Sequence, residues 1–189
     1  MLGARAKILL NPDAKLDLAV RLRNSGAPLG EVFSFISGLY FRGKLAYAER
    51  FGNPPPAVEG VHIITASAGL LSPREVVTPA RLKSISAAQV DHEDQRYRQP
   101  LDRDAFRLKE LLNDTANVVL LGSIATPKYV APLLEVFGER LLFPTGFLGR
   151  GDMSRGGLLL RSAVGGASLK YGPVLGTPRR GKRPPRLEN

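Results

Sequence analysis

The sequence predicts an α/β protein: a single domain over residues 1–175 with a mostly parallel central sheet flanked by helices, followed by a basic arm over residues 176–189. Three observations carry this expectation. Short apolar, β-branched runs alternate with stretches of helical spacing, a pattern that favours a sheet covered by helices over a bundle or a sandwich. The chain has 189 residues, 43% of them apolar, which suits one domain of ordinary size with a core of its own. From Gly176 onward the composition changes to Pro, Gly and Arg, which cannot bury enough apolar surface to fold alone.

In chain order, residues 6–10 read as a short buried strand closed by Asn11 and Pro12. Asp13 then caps a helix to Asn24, with Leu16, Ala19, Val20 and Arg23 at helical spacing, and Ser25-Gly26-Ala27-Pro28 breaks it. A second helix is expected over residues 40–51, where Leu45, Ala48 and Phe51 recur every third position before Gly52. Asn53-Pro54-Pro55-Pro56 is too proline-rich for helix or central strand and reads as a surface connection. Residues 61–65 form a β-branched central strand that runs into Ala66-Ser67-Ala68-Gly69. After a polar stretch over residues 84–99, Asp102 caps an amphipathic helix with Ala105, Leu108, Leu111 and Leu112 on one face. Residues 117–121 are the second central strand, ending in Gly122-Ser123. Thr126 and Pro127 open the next helix, Pro132 interrupts it and Gly138 stops it. Runs at residues 140–143 and 157–163 complete the expected strands, and no internal repeat is visible.

Composition removes several classes of chemistry. There is no cysteine, which excludes disulfides, thiol nucleophiles and iron–sulfur ligation and fits a reducing cytoplasm. With two histidines and no cysteine, no metal and no cofactor is expected. Asp91-His92-Glu93-Asp94 only superficially resembles a metal cluster, because neighbours on a helix point in different directions, and a solvated face accounts for it better. His62, in an apolar strand, reads as a satisfied core histidine. No apolar run approaches the roughly 20 residues of a membrane span, and no signal peptide is visible.

Charge is the most informative bulk property. Of a net +10, residues 147–189 hold nine Lys or Arg against Asp152 and Glu188, a net +7. Such clustering suits a polyanion, DNA more than RNA, with Arg42, Lys44, Arg161, Arg179, Arg180, Lys182, Arg183 and Arg186 as the residues expected to meet it. A solubilising tail explains the last residues equally well, but not Arg150, Arg155 and Arg161 in an apolar segment.

Two constellations carry chemistry. If the two central strands are parallel neighbours, their carboxyl ends open on one edge, where Thr65, Gly69, Gly122, Ser123 and Lys128 of the following helix meet a substrate. Two tight turns without a ligand account for the same residues, and neither segment has the spacing of a Walker loop or a dinucleotide fingerprint. The second is Gly149-Arg150-Gly151-Asp152-Met153-Ser154-Arg155-Gly156-Gly157, in which two guanidiniums flank one carboxylate and one hydroxyl. An Arg–Asp pair stiffening a loop is the plainer account of it.

The stretch Ser37-Gly38-Leu39-Tyr40-Phe41-Arg42-Gly43-Lys44-Leu45-Ala46-Tyr47-Ala48, followed by Ile63-Ile64-Thr65-Ala66-Ser67-Ala68-Gly69-Leu70-Leu71-Ser72-Pro73 and Thr78-Pro79, resembles the YaaA-like proteins. Their pattern pairs a Tyr-rich helix with a strand ending in a Ser-Ala-x-x-Gly-Leu-Leu-x-Pro turn, and Val118-Val119-Leu120-Leu121-Gly122-Ser123 falls where it puts a further strand. The resemblance covers roughly residues 35–135 and implies a role in DNA and oxidative-stress protection, with kinship to enzymes of 7-deazaguanine modification. Residues 149–161 with Arg183-Pro184-Pro185-Arg186-Leu187 resemble the DpdC family, which implies conversion of a 7-cyano group in DNA to an amide-type group, with other proteins of such a system as partners. Nitrile hydration needs a base to activate water and a donor to the developing nitrogen anion. Without cysteine or metal, the residues that permit it are Asp152 as base and Arg150, Arg155 or Ser67 as donor, a hydro-lyase type of chemistry. A non-catalytic DNA-binding protein of stress protection is the alternative, and an RNA- or ribosome-associated factor a third.

Overall fold

The computed structural model describes residues 3–179 and 181, and helices dominate it. The N-terminal part is built from α1 (Ala4–Leu10), α2 (Asp17–Asn24) and α3 (Leu29–Ser37). The strand expected at residues 6–10 is therefore helical. Ala6 and Leu9, three apart, are the residues it buries, and only a helix puts them on one face. Asp13 is not a cap; α2 begins four residues later and buries Leu18, Ala19 and Leu22. The unforeseen α3 buries Leu29, Gly30 and Val32. These helices share an apolar cluster with Ile63, Val77 and Leu82 and Ile85 of α5 (Pro79–Ile85), which Thr78 caps by accepting from the Arg81 N–H at 3.3 Å.

A second cluster gathers α4 (Leu39–Phe51), α6 (Gln95–Leu111), α7 (Pro127–Phe137) and α8 (Asp152–Gly165). Helix α6 starts earlier than expected because Asp94, not Asp102, accepts from the Arg96 N–H at 2.9 Å. Asp102 lies within the helix, paired with Arg98 at 2.7 Å. The buried face of α6 is Tyr97, Leu101 and Ala105, while Leu111 is 63% exposed. Helix α7 has the expected bounds, with Pro127 in its first turn, Pro132 inside it and Gly138 at φ +54° ending it. Residues 157–163 are helical, not a strand: Gly156, Leu159 and Ser162 are buried at a spacing of three, a period masked by the continuous apolar run Leu158-Leu159-Leu160.

The strands do not form one mostly parallel sheet among the described residues. The short β1 (Ala27–Pro28) pairs antiparallel with β4 (Val76–Val77), and β2 (Ile63–Ile64) forms an antiparallel hairpin with β3 (Leu70–Leu71). A three-stranded sheet of order β5-β6-β7 joins β5 (Val118–Val119), β6 (Leu141–Pro144) and β7 (Tyr171–Pro173), with β5 and β6 parallel and β7 antiparallel to β6. Residues 61–65 do not neighbour β5: the Thr65 N–H donates to the Gly69 carbonyl at 2.9 Å, the chain turns straight back, and β2 pairs with β3. The parallel unit is instead β5-α7-β6. The hairpin lies between the clusters: Ile63 and Leu71 belong to the first, while Ile64 and Leu70 pack against the second. Among the described residues no helix is long and apolar enough to cross a membrane.

Helices α4 and α8 meet through glycine. A Cβ on Gly43 would lie 2.7 Å from the Gly156 carbonyl oxygen, and one on Gly156 would lie 2.9 Å from the Tyr40 Cα. Tyr40 near the start of α4 backs the first turns of α8, and Arg50 near its end lies by Gly166, so the two helices run parallel. Replacing Gly156 by Ala forces backbone apart and is expected to cost about 1–3 kcal/mol. Gly165→Ala, with nothing within 4 Å of its Cβ, is expected to leave stability unchanged or raise it slightly. Urea unfolding midpoints decide; equal midpoints for Gly156→Ala and the wild type would deny the close approach any part in stability.

Candidate functional site

Parallel packing of α4 and α8 brings their N-terminal ends to the same place. The parallel strands β5 and β6 add to this: α7 follows the carboxyl end of β5, and the 145–151 connection to α8 follows the carboxyl end of β6. The edge at which parallel strands end is where α/β folds bind ligands. Tyr40 and Lys44 come from α4, Lys128 and Tyr129 from the first turn of α7, Phe147 and Arg150 from the connection, and Asp152 and Arg155 from the first turn of α8. None of the three helix starts has a side-chain cap on its N–H groups: Gly38, Thr126 and Gly151 stand at the N-cap positions.

The side chains form an aromatic floor under a set of cations. The Lys44 Nζ lies 4.2 Å from the Tyr40 ring centroid, the Tyr40 ring stands edge-on to Phe147 at 6.4 Å, and the Arg155 guanidinium lies 5.7 Å from the Phe147 centroid. Arg155 is the fixed member. Its Nε and Nη2 each donate to the Phe147 carbonyl at 3.3 Å, its Nη1 donates to Asp152 Oδ1 at 3.3 Å, and its side chain is 11% exposed. Asp152 faces outward, 70% exposed. Arg150 donates to the Gly146 carbonyl at 3.0 Å and to Ser154 Oγ at 3.2 Å.

Burial sets the electrostatics. It pushes the Tyr40 hydroxyl up to about 12, with Arg155 opposing and Asp152 reinforcing the rise. It lowers Lys44 from its ordinary value; Asp152 counters that and the positive charges of Arg155 and Lys128 add to it. Tyr129 is raised by burial and by Asp152. Lys44 and Lys128 form no ion pair among the described residues. The Tyr40 hydroxyl is buried, and although Arg155 acts on it, no group among the described residues meets it with hydrogen-bond geometry. This arrangement suits an anion carrying a flat ring.

The expected site residues divide accordingly. Arg150, Asp152, Arg155, Lys128 and Lys44 are brought together. Ser67, Thr65 and Gly69 belong to the β2–β3 turn instead: Ser67 Oγ donates to the Ser84 carbonyl at 2.6 Å, and buried Thr65 donates to the Gly69 carbonyl at 3.0 Å and accepts from the Ala68 N–H at 3.0 Å. Gly69, at φ +70°, is there because a Cβ would collide with the Asp104 carboxylate and the Pro100 carbonyl of α6; that carboxylate accepts from the Leu70 N–H at 3.0 Å. Gly122 is buried beside Leu120, and Ser123 accepts from the Ala125 N–H at 3.3 Å, so both shape the turn into α7. Arg42, Arg161 and Arg179 are exposed. Arg180, Lys182, Arg183 and Arg186 lie outside the described residues, but Gly181 sits against Leu148 and Gly149, which puts the start of the basic arm beside the site.

Tyr40, Tyr129 and Phe147 escaped sequence reasoning. The spacing Tyr40-x-x-x-Lys44, one turn on one helix face, and the placing of Lys128-Tyr129 directly behind a helix-opening Thr126-Pro127 were the available signals. Asp91-His92-Glu93-Asp94 is the turn before α6, with Asp91 accepting from the Glu93 N–H at 3.1 Å, and no group of three metal-ligating side chains occurs among the described residues. His62 is not fully satisfied: its buried Nε2 lacks a partner among the described residues. It borders an apolar cavity of about 360 Å³ at the far end of α4, walled by Tyr47, Phe51, Pro54, Leu112 and Phe137.

Four tyrosines, Tyr40, Tyr97, Tyr129 and Tyr171, are raised chiefly by burial. An acid whose folded value is raised holds its proton in the native state while the unfolded chain gives it up, so its stabilising share is complete below pH 10.0 and is lost as pH climbs through the folded value. Stability is therefore expected to fall steeply between pH 10 and about 12, with tyrosinate absorbance appearing together with unfolding. Early, independent ionisation of these four tyrosines in the folded protein would contradict this burial. Comparison with protein-family models, with curated proteins and with solved structures finds no match for this chain.

Proposed function

We propose that the protein is a DNA-modification enzyme that acts on a 7-deazaguanine base and converts its 7-cyano group to an amide-type group. The observation that carries this reading is the meeting of a single outward-facing carboxylate, Asp152, with Lys44, Lys128 and Arg155 over the Tyr40 and Phe147 rings, beside the point where the basic arm begins. The resemblance of residues 35–135 to YaaA-like proteins and of residues 149–161 to the DpdC family supplies the substrate class. In the reaction, water adds across the C≡N bond. Asp152 accepts a proton from the water as its oxygen attacks the nitrile carbon, and the cations beside it stabilise the negative charge that develops on nitrogen. Asp152 then returns that proton to the nitrogen, and the remaining hydroxyl proton of the imidic acid moves from oxygen to nitrogen to leave the carbonyl and NH2 of the amide. Ser67 has no part, being bonded to the Ser84 carbonyl on the hairpin. A base reaches such a site only when drawn out of the duplex, and aromatic rings such as Tyr40 and Tyr129 are what an extruded base stacks on. The basic arm and the exposed Arg42 and Arg161 hold the flanking phosphates.

A non-catalytic DNA-binding protein is the second reading. It is favoured by Arg155, whose bonds to the Phe147 carbonyl and Asp152 suffice to explain both side chains as a clamp on the start of α8.

Asp152→Asn separates the two. For an enzyme it is expected to lower turnover of an oligonucleotide carrying 7-cyano-7-deazaguanine by about 100-fold or more, with melting temperature and DNA affinity nearly unchanged. Full turnover in the folded variant would take Asp152 out of the mechanism, and an identical deazaguanine content in DNA from cells with and without the protein would remove the modification reading. Deleting residues 176–189, which carry Arg179, Arg180, Lys182, Arg183 and Arg186, is expected to flatten the salt dependence of duplex binding by about 0.9 for each phosphate that the arm neutralises. An unchanged slope would make the arm a bystander.

A further inference from the structure

We propose that Tyr40, Lys44, Lys128 and Arg155 form a phosphate seat that takes the phosphate group of a nucleotide. This deepens the reading above by naming the group the site grips, and it stands on observations that need no base chemistry.

The first is the Tyr40 hydroxyl. A buried hydroxyl normally finds a partner, since leaving it unpaired forfeits the water it gave up on folding. The Tyr40 hydroxyl makes no hydrogen bond of full geometry among the described residues, with only the Arg155 guanidinium near enough to act on it, while Tyr47 pairs with Tyr171 and Tyr97 donates to the Lys128 carbonyl at 2.9 Å. The second is the imbalance of charge. Lys44 from α4 feels the charges of Lys128 from α7 and of Arg155 and Asp152 from α8, so three cations share one carboxylate, which points outward and among the described residues is bonded by Arg155. Lys44 is also largely removed from water, held over the Tyr40 ring, with no counter-charge in contact among the described residues. The third is direction: the three helices present uncapped N-terminal ends to the same place, so that backbone N–H groups and side-chain cations point the same way.

Donors arriving from three elements match a tetrahedral anion with several acceptor oxygens better than a flat carboxylate with two. The Tyr40 and Tyr129 rings give the attached nucleoside a surface to lie on. In the free protein the Tyr40 oxygen is closed off from solvent, and the Lys44 ammonium lies above its ring. An anion reaches the hydroxyl as Lys44 swings out to pair with it, so that the hydroxyl and the ammonium gain their missing partners in one event.

The test is calorimetric titration of the full-length protein with inorganic phosphate and with dGMP, in parallel with melting curves. Tyr40→Phe keeps the ring and removes only the unpaired oxygen. Without phosphate it is expected to melt no lower than the wild type, and to bind phosphate about tenfold more weakly. Lys44→Met is expected to weaken binding at least as much, whereas Lys83→Ala on α5 leaves it unchanged; if Lys44→Met does not fold, Tyr40→Phe decides alone. Absence of phosphate binding at millimolar concentration, or wild-type affinity in folded Tyr40→Phe, overturns the seat. So does a Tyr40→Phe protein destabilised in the absence of phosphate, because the hydroxyl would then serve the fold. A dGMP affinity no better than that of phosphate overturns the nucleotide as its source. Phosphate binding as expected, with DNA nucleosides unaffected by loss of the protein, keeps the seat and removes base modification; modified bases made by a protein indifferent to phosphate do the reverse.

Discussion

The approach of Gly43 to Gly156 is the constraint on which the arrangement of the site depends. Two helices that touch backbone to backbone have no side chain between them to adjust, so their relative position is fixed closely. Because α4 and α8 run parallel there, the ends that carry partial positive charge lie side by side. Like helix ends repel weakly, and antiparallel packing would relieve that. The protein keeps the less comfortable orientation and adds Lys44 and Arg155 to the same end.

Such concentration of positive charge is tolerated through a division of labour among the side chains. Arg155 is neutralised locally by Asp152 and tied down by the Phe147 carbonyl, so its charge belongs to the scaffold as much as to the surface. Lys44 is placed over an aromatic face, which offsets part of the loss of water without fixing the ammonium in one position. Lys128 leans toward the Tyr129 ring at 5.2 Å in the same manner. One cation is thus rigid and two are adaptable.

How much of this was legible in the sequence depends on the kind of signal each residue carries. Thr126, Pro127 and Gly138 act through local backbone preference, and the bounds of α7 follow from them directly. The segment at residues 157–163 is an apolar run of the length at which helix and strand look alike; burial of every third residue decides for helix, but that depends on α4, which is far away in the chain. The partnership of β5 is hidden for a similar reason. Residues 61–65 have the look of its neighbour, and only the tight Thr65–Gly69 turn, stabilised by Asp104 from a distant helix, withdraws them into a hairpin. The cations of the site were visible because charge is read off residue by residue. Tyr40 and Tyr129 were not, since an aromatic residue at helical spacing is ordinarily core, and only the missing partner of the Tyr40 hydroxyl distinguishes it.

That hairpin has a consequence for how the molecule holds together. Its strands put Ile63 and Leu71 into the cluster built by α1, α2, α3 and α5, and Ile64 and Leu70 against the cluster built by α4, α6, α7 and α8. Four residues therefore form a party wall whose two faces belong to different rooms. Since side chains alternate along a strand, slipping the pairing by a single position would exchange the occupants of both rooms at once. The register is held from outside the hairpin by the bond of the Leu70 N–H to Asp104, and a carboxylate of α6 thereby ties the strand that carries residues of both rooms to the second of them.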